Sequence, residues 1–215
     1  MNYPPKSVLN NYQQNPILWI KDVLDDYPRW SKQKEVLDSI RDNRVTLVKS
    51  AHGLGKSFLA KDAAMWFLFN FYPSIVVTTA PSFHQVEKVL WAEINESYKH
   101  MKVTPGGQCN LTELKLADKW FAKGISPKID NSEDAGKRIT GLHQKHMLII
   151  FDEAPACSPV LWEMKDTLMT SEHVRFLGIG NPVVNSGPFY EGFKEKHYKL
   201  SQWAYLKVLI LKLIT

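Results

Sequence analysis

Four short runs of apolar, β-rich residues punctuate the chain at 45–49, 75–79, 147–151 and 174–179. Stretches with helical spacing separate them, the clearest at 56–71 and 83–99. None of the four runs alternates strictly between apolar and polar residues. Strands of that kind, separated by helices, are the signature of a parallel sheet covered on both faces, so the expected fold class is α/β with a mainly parallel central sheet. Residues 112–125 break the pattern and predict a hairpin turning at Ala117-Asp118, an antiparallel addition to that sheet. Upstream, 31–41 carries Val36, Leu37 and Ile40 at helical spacing, with Ser31 as the expected N-cap.

The first thirty residues hold Pro4, Pro5, Pro16 and Pro28 around one amphipathic stretch, 17–24, and read as a helical preface. Segment 131–141 is polar and contains glycine, which predicts a mobile loop. The final run is apolar and alternates only in part, as a last sheet strand would. The expected organisation is therefore a preface (1–30), one α/β domain (31–200) and a short C-terminal segment (201–215).

Composition narrows the function classes. A chain of 215 residues with 44% hydrophobic residues can bury a sizeable core and is not a disordered polymer. Its two cysteines, Cys109 and Cys157, lie far apart, which excludes a disulfide scaffold and argues against structural zinc. The start has no apolar signal region and no apolar stretch reaches membrane-spanning length, so the expectation is a cytoplasmic protein with no membrane partner. Twenty-seven Lys+Arg against 22 Asp+Glu leave a net charge of +5, compatible with a nucleic-acid partner.

The chemistry concentrates in Val45-Thr-Leu-Val-Lys-Ser-Ala-His-Gly-Leu-Gly-Lys-Ser57. An apolar strand enters a glycine-containing turn that ends in Gly55-Lys56-Ser57, and a helix, expected to be amphipathic, starts there. This is the layout of a phosphate-binding P-loop: successive N–H groups of Ser50, Ala51, His52, Gly53, Leu54, Gly55, Lys56, Ser57 and Phe58 would surround phosphate oxygens at a helix N-terminus. Lys56 would reach the β- and γ-phosphates of ATP and Ser57 would ligate Mg²⁺. Against the pattern GxxxxGK[ST], Ser50 occupies the first glycine position. A dinucleotide site fails for want of a third glycine and leaves Lys56 unexplained. A hundred residues on, Met147-Leu-Ile-Ile-Phe-Asp-Glu-Ala154 is a buried strand ending in two carboxylates. Asp152 there suits Mg²⁺, and Glu153 suits the orientation and deprotonation of an attacking water.

Taken together, Ser50–Ser57, Ile149-Ile-Phe-Asp-Glu-Ala-Pro155 and Gly178-Ile-Gly-Asn-Pro182 resemble the ATPase motor domain of phage terminase large subunits. Thr78-Thr-Ala-Pro-Ser-Phe-His-Gln-Val86 and Ser186-Gly-Pro-Phe-Tyr190 extend the likeness over nearly the whole chain. The resemblance implies a P-loop NTPase that hydrolyses ATP to drive double-stranded DNA into a capsid, with portal protein, small terminase subunit and a homo-oligomeric ring as partners.

It also implies roles for single residues. Gln33, in Tyr27-Pro-Arg-Trp-Ser-Lys-Gln33, would pair with adenine. His52 stands where many relatives carry a γ-phosphate-binding arginine, and an imidazole makes that contact weaker and dependent on protonation. Arg138 would act as an arginine finger on the neighbouring subunit, with Lys137 the competing choice. Asn181 would sense the γ-phosphate and relay nucleotide state, with Pro182 fixing its turn. His143 and His146 have the i, i+3 spacing of a helical chelating pair, yet without a third ligand zinc is not expected. Relatives carry a second, nuclease domain, for which too few residues remain after the motor. A fragment and a natural truncation both fit, and nuclease activity is not expected. Two further readings stay open: a helicase-like P-loop ATPase, and an inactive prophage remnant that binds nucleotide or DNA.

Overall fold

In the computed structural model, the described residues are 5–103, 106–125, 142–181, 185–194, 198–202 and 206–211. Arg138, Lys137, Pro182 and the segment 131–141 lie outside them. The chain starts with α1 (Lys6–Gln14) and α2 (Pro16–Trp19), which runs into a π-helical turn (Ile20–Leu24). Then come α3 (Ser31–Asp42), β1 (Val45–Ser50), α4 (Lys56–Asn70) and β2 (Ser74–Thr79). A short α5 (Phe83–Gln85) passes through a π-helical turn (Val86–Leu90) into α6 (Trp91–His100). Strands β3 (Gln108–Asn110), β4 (Glu113–Ala117), β5 (Trp120–Ile125) and β6 (His146–Phe151) follow. The last elements are α7 (Pro159–Leu168), β7 (His173–Gly180), α8 (Pro188–Glu191), β8 (Tyr198–Gln202) and β9 (Leu206–Leu211).

The strands form one nine-stranded sheet in the order β3-β4-β5-β2-β6-β7-β1-β9-β8. Its five central strands are parallel, and an antiparallel pair closes each side. All four apolar runs are central strands. The 112–125 hairpin forms, and β5 joins the rest of the sheet by pairing parallel with β2. Alternate residues of each central strand feed two cores. Val48, Val76, Leu148, Ile150, Leu177 and Ile179 meet α3, α4 and α6. Leu47, Ile75, Val77, Met147, Ile149 and Phe176 meet α7 and Phe189 of α8.

Helix α4 differs from the expectation. It is not amphipathic: every residue from Leu59 to Asn70 is buried. The sheet lies under it, and α1, α3 and α6 surround it. The preface covers one of its sides, where Trp66 Nε1 donates to the Tyr12 carbonyl at 2.9 Å and Gln13 Nε2 donates to the Asn70 carbonyl at 2.6 Å. The N-cap of α3 also shifts by one residue. Ser31 is the first helical residue and Trp30 the cap, because the Gln33 Oε1 reaches back to accept the Trp30 N–H at 3.0 Å.

His143 and His146 share no helix. His146 opens β6 and its Nδ1 lies 2.9 Å from Nδ1 of His173, the first residue of β7. The His173 ring stacks on Phe67 and packs on Phe71. Burial, then the charges of Arg175, His146 and Lys145, push His173 down to about 4 from 6.5. The unfolded chain therefore takes up this proton first, and stability is lost as the pH falls from 6.5 towards 4. A melting series should fall by several degrees across that window, on the order expected for one linked proton in a domain of this size. His173→Gln should flatten the fall; an unchanged slope would remove His173 as its cause.

Candidate active site

The loop between β1 and α4 sits at the C-terminal end of the parallel strands. Gly53 and Gly55 both take φ of +75°, a left-handed conformation that costs other residues strain. Gly55 is the N-cap of α4, and no side chain caps the helix's first turn. The amide groups of that turn are thus left to an outside acceptor, the arrangement that suits an anion. Ser50 at the loop's entry is buried, and its hydroxyl donates to the Ala51 carbonyl at 3.2 Å. His52 is exposed at the crest of the loop.

Strand order brings the second motif alongside. β6, which ends in the two acids, is separated from β1 by β7 alone. Ser57 Oγ donates to Asp152 Oδ2 at 3.3 Å, and Lys56 Nζ lies 3.6 Å from Glu153 Oε1. Lys56 also donates to the Ala51 carbonyl at 3.1 Å. Asp152 is 5% exposed; burial, then the charge of Glu153, lifts it above the usual carboxylate range against the Ser57 hydroxyl, the Glu153 N–H and Lys56. A buried carboxylate and a hydroxyl this close form a hard-oxygen donor pair that fits Mg²⁺.

Glu153 carries a feature that the sequence did not reveal. At φ 51° and ψ 44° it is the one non-glycine residue with positive φ among the described residues. The turn directs the chain from β6 into the short 3₁₀ helix Ala154–Ala156, and the Glu153 N–H donates to Asp152 Oδ1 at 3.1 Å. Such a conformation costs about 1–3 kcal/mol and persists where the surroundings hold it. Gly180, the last residue of β7, packs closely against this turn: a Cβ at that position would stand 2.1 Å from Pro155 Cδ. Asn181 follows directly, partly exposed, at the end of β7, which lies between β1 and β6. Beside the acids, the Thr79 hydroxyl is buried with no hydrogen-bond partner among the described residues, and the Thr79 carbonyl accepts the Asp152 N–H at 2.9 Å.

A shallow crevice opens from the loop towards α3. Trp30, Gln33 and Val36 line one side, Leu54, Gly55 and Leu59 the other. Gln33 Nε2 lies against Gly55, 3.1 Å from where a Cβ would be. The Phe58 ring does not line the crevice and packs against Arg29 and Lys61. The structure thus gathers Gln33, residues 50–57, Asp152, Glu153 and Asn181 at one end of the sheet. Only the main chain of Phe58 belongs with them.

No protein-family model matches the chain. It is 24% identical over 185 residues to the probable terminase large subunit of Enterobacteria phage P7, covering 81% of this chain and 35% of that protein. The chain is similar in sequence to a phage large terminase. It spans about a third of the length of that relative. The large terminase of a thermophilic bacteriophage shares the fold, with a TM-score of 0.57 at 14% identity over 73% of this chain and 40% of that one. No helix among the described residues is long and apolar enough to cross a membrane.

Proposed function

We propose that this chain is the ATP-hydrolysing motor segment of a terminase large subunit, using Mg²⁺ and ATP to drive double-stranded DNA into a capsid. The observation that carries the reading is the meeting of Lys56, Ser57, Asp152 and Glu153, drawn from two segments a hundred residues apart. The amides of 50–58 cradle phosphate oxygens and Lys56 adds its charge to the β- and γ-phosphates. Ser57 and Asp152 would hold Mg²⁺, which when bound neutralises charge that develops on the phosphates. Glu153 orients the attacking water and takes its proton. Lys56 must leave Glu153 to reach phosphate, so nucleotide arrival frees the base for that task.

Gln33 recognises the base, and Asn181 reports the state of the γ-phosphate. His52 adds a contact at the loop crest. Arg138 completes the site from a neighbouring copy in a ring on the capsid in the host cytoplasm, where portal protein and small terminase subunit are the partners. DNA is held mainly by its phosphates, hence in a salt-sensitive and nearly sequence-blind manner.

The deciding measurement is Mg²⁺-dependent ATP hydrolysis against concentration of the purified chain. Specific activity should rise with concentration, fall by about 10³-fold or more in Arg138→Ala, and vanish in Lys56→Ala. Activity independent of both concentration and Arg138 would leave an ATPase whose sites work singly. Nucleotide binding without turnover would favour an inactive remnant.

A further inference from the structure

Behind the 50–57 loop, four charged side chains meet largely out of water. Arg29 Nε and Nη2 donate to Asp62 Oδ2 and Oδ1 at 2.8 and 2.9 Å, a bidentate pair whose side chains are 2% and 0% exposed. The same guanidinium binds both carboxylate oxygens of Asp25 and the Tyr27 carbonyl. Lys61 Nζ lies 2.7 Å from Asp62 Oδ1 and is itself fully buried. Both cations lie against the Phe58 ring, the Arg29 guanidinium carbon 4.6 Å and Lys61 Nζ 3.8 Å from its centroid.

None of the chemistry assigned above uses this cluster. A buried ion pair is also a poor device for stability alone, since desolvation offsets most of its attraction. What a bidentate guanidinium–carboxylate pair does supply is geometry: both partners are fixed in distance and direction. Its two ends are telling. Arg29 immediately precedes Trp30, which with Gln33 lines one side of the crevice, and Asp62 lies one helical turn beyond Leu59, which lines the other. Arg29–Asp62 therefore ties the entry to α3 to the flank of α4, the two elements whose neighbouring residues line the crevice.

We infer that Arg29 and Asp62 are positioning residues that set the width of the crevice and the pose of Gln33, and so select adenine over guanine nucleotides. The inference rests on the reading of this site as an ATP site. Gln33 Oε1 accepts from the Trp30 N–H and keeps a second lone pair, while Nε2 remains a donor beside Gly55. That pairing of acceptor and donor matches the amino group and N7 of adenine; guanine presents two acceptors on the same edge. The match depends on where Trp30 stands, and Trp30 follows directly on the anchored Arg29.

Arg29→Lys tests this with charge and bulk kept and the fork removed. In steady-state hydrolysis of ATP and GTP by the full chain, the variant should raise KM for ATP about tenfold, leave kcat within about twofold and lower the ATP/GTP preference about tenfold. Asp25→Asn, at the 35%-exposed end of the cluster, should move the same quantities in the same direction by less. This second variant decides the matter if the first does not fold. Unchanged KM and unchanged preference in a folded variant would overturn the inference while leaving the ATPase reading intact. A wild-type chain that binds no ATP, measured with a fluorescent ATP analogue, would instead overturn the ATPase reading and this inference with it.

Discussion

Replacing Glu153 by glutamine should cut ATP turnover by about 10²–10⁴-fold while ATP binding is kept or tightened, because the amide cannot accept the water's proton. The geometry explains the sign of both effects. In this structure Glu153 faces Lys56 at 3.6 Å, so the carboxylate competes with phosphate for that lysine. Removing its charge frees Lys56 for nucleotide and removes a repulsion of the γ-phosphate. Steady-state hydrolysis paired with binding of a fluorescent ATP analogue measures both quantities. Turnover within a factor of about ten of wild type would be too small a loss for a general base and would take the role from Glu153.

Backbone and side chain can be separated at the same position. Glu153→Gly removes the carboxylate yet accepts a φ of 51° without strain. It should lose turnover as the glutamine variant does while keeping the turn.

Much of this site was legible because its chemistry is written in contiguous segments. Strand, glycine turn and Lys56-Ser57 are neighbours in the sequence, as are the apolar run 147–151 and its two acids. Their order along the chain also carried the family resemblance. What escaped the sequence depends on pairings over long separations. Lys61 and Asp62 look like two solvated charges, but their helix is apolar on every side from Leu59 onward. That pattern implies burial and hence a partner, although nothing in local spacing points to Arg29, more than thirty residues earlier. Sequence distance pairs His146 with His143, whereas the sheet puts His173 beside it. The left-handed Glu153 left no signal either, since glycine is the residue that advertises such a turn.

Gly180 shows the same dependence on distant pairing, and it carries the second large expected effect. Alanine there should lower turnover by about 10²-fold or more, the scale of misplacing a catalytic group by an ångström. Melting should fall as well, by the roughly 1–3 kcal/mol of an overpacked core position. The added methyl would stand 2.1 Å from Pro155 Cδ and 3.3 Å from the Ala154 nitrogen, so the Ala154–Ala156 turn must retreat. Glu153 is the residue from which that turn starts, and its strained conformation depends on the turn staying where it is. A retreat carries the carboxylate away from Lys56 while the 50–57 loop is untouched. Turnover should therefore fall with little change in affinity for ATP. Loss of affinity equal to the loss of turnover would mean that the strand end supports the phosphate loop instead. A variant with both quantities unchanged would show that the Pro155 ring moves without Glu153, and that Gly180 is not its clamp.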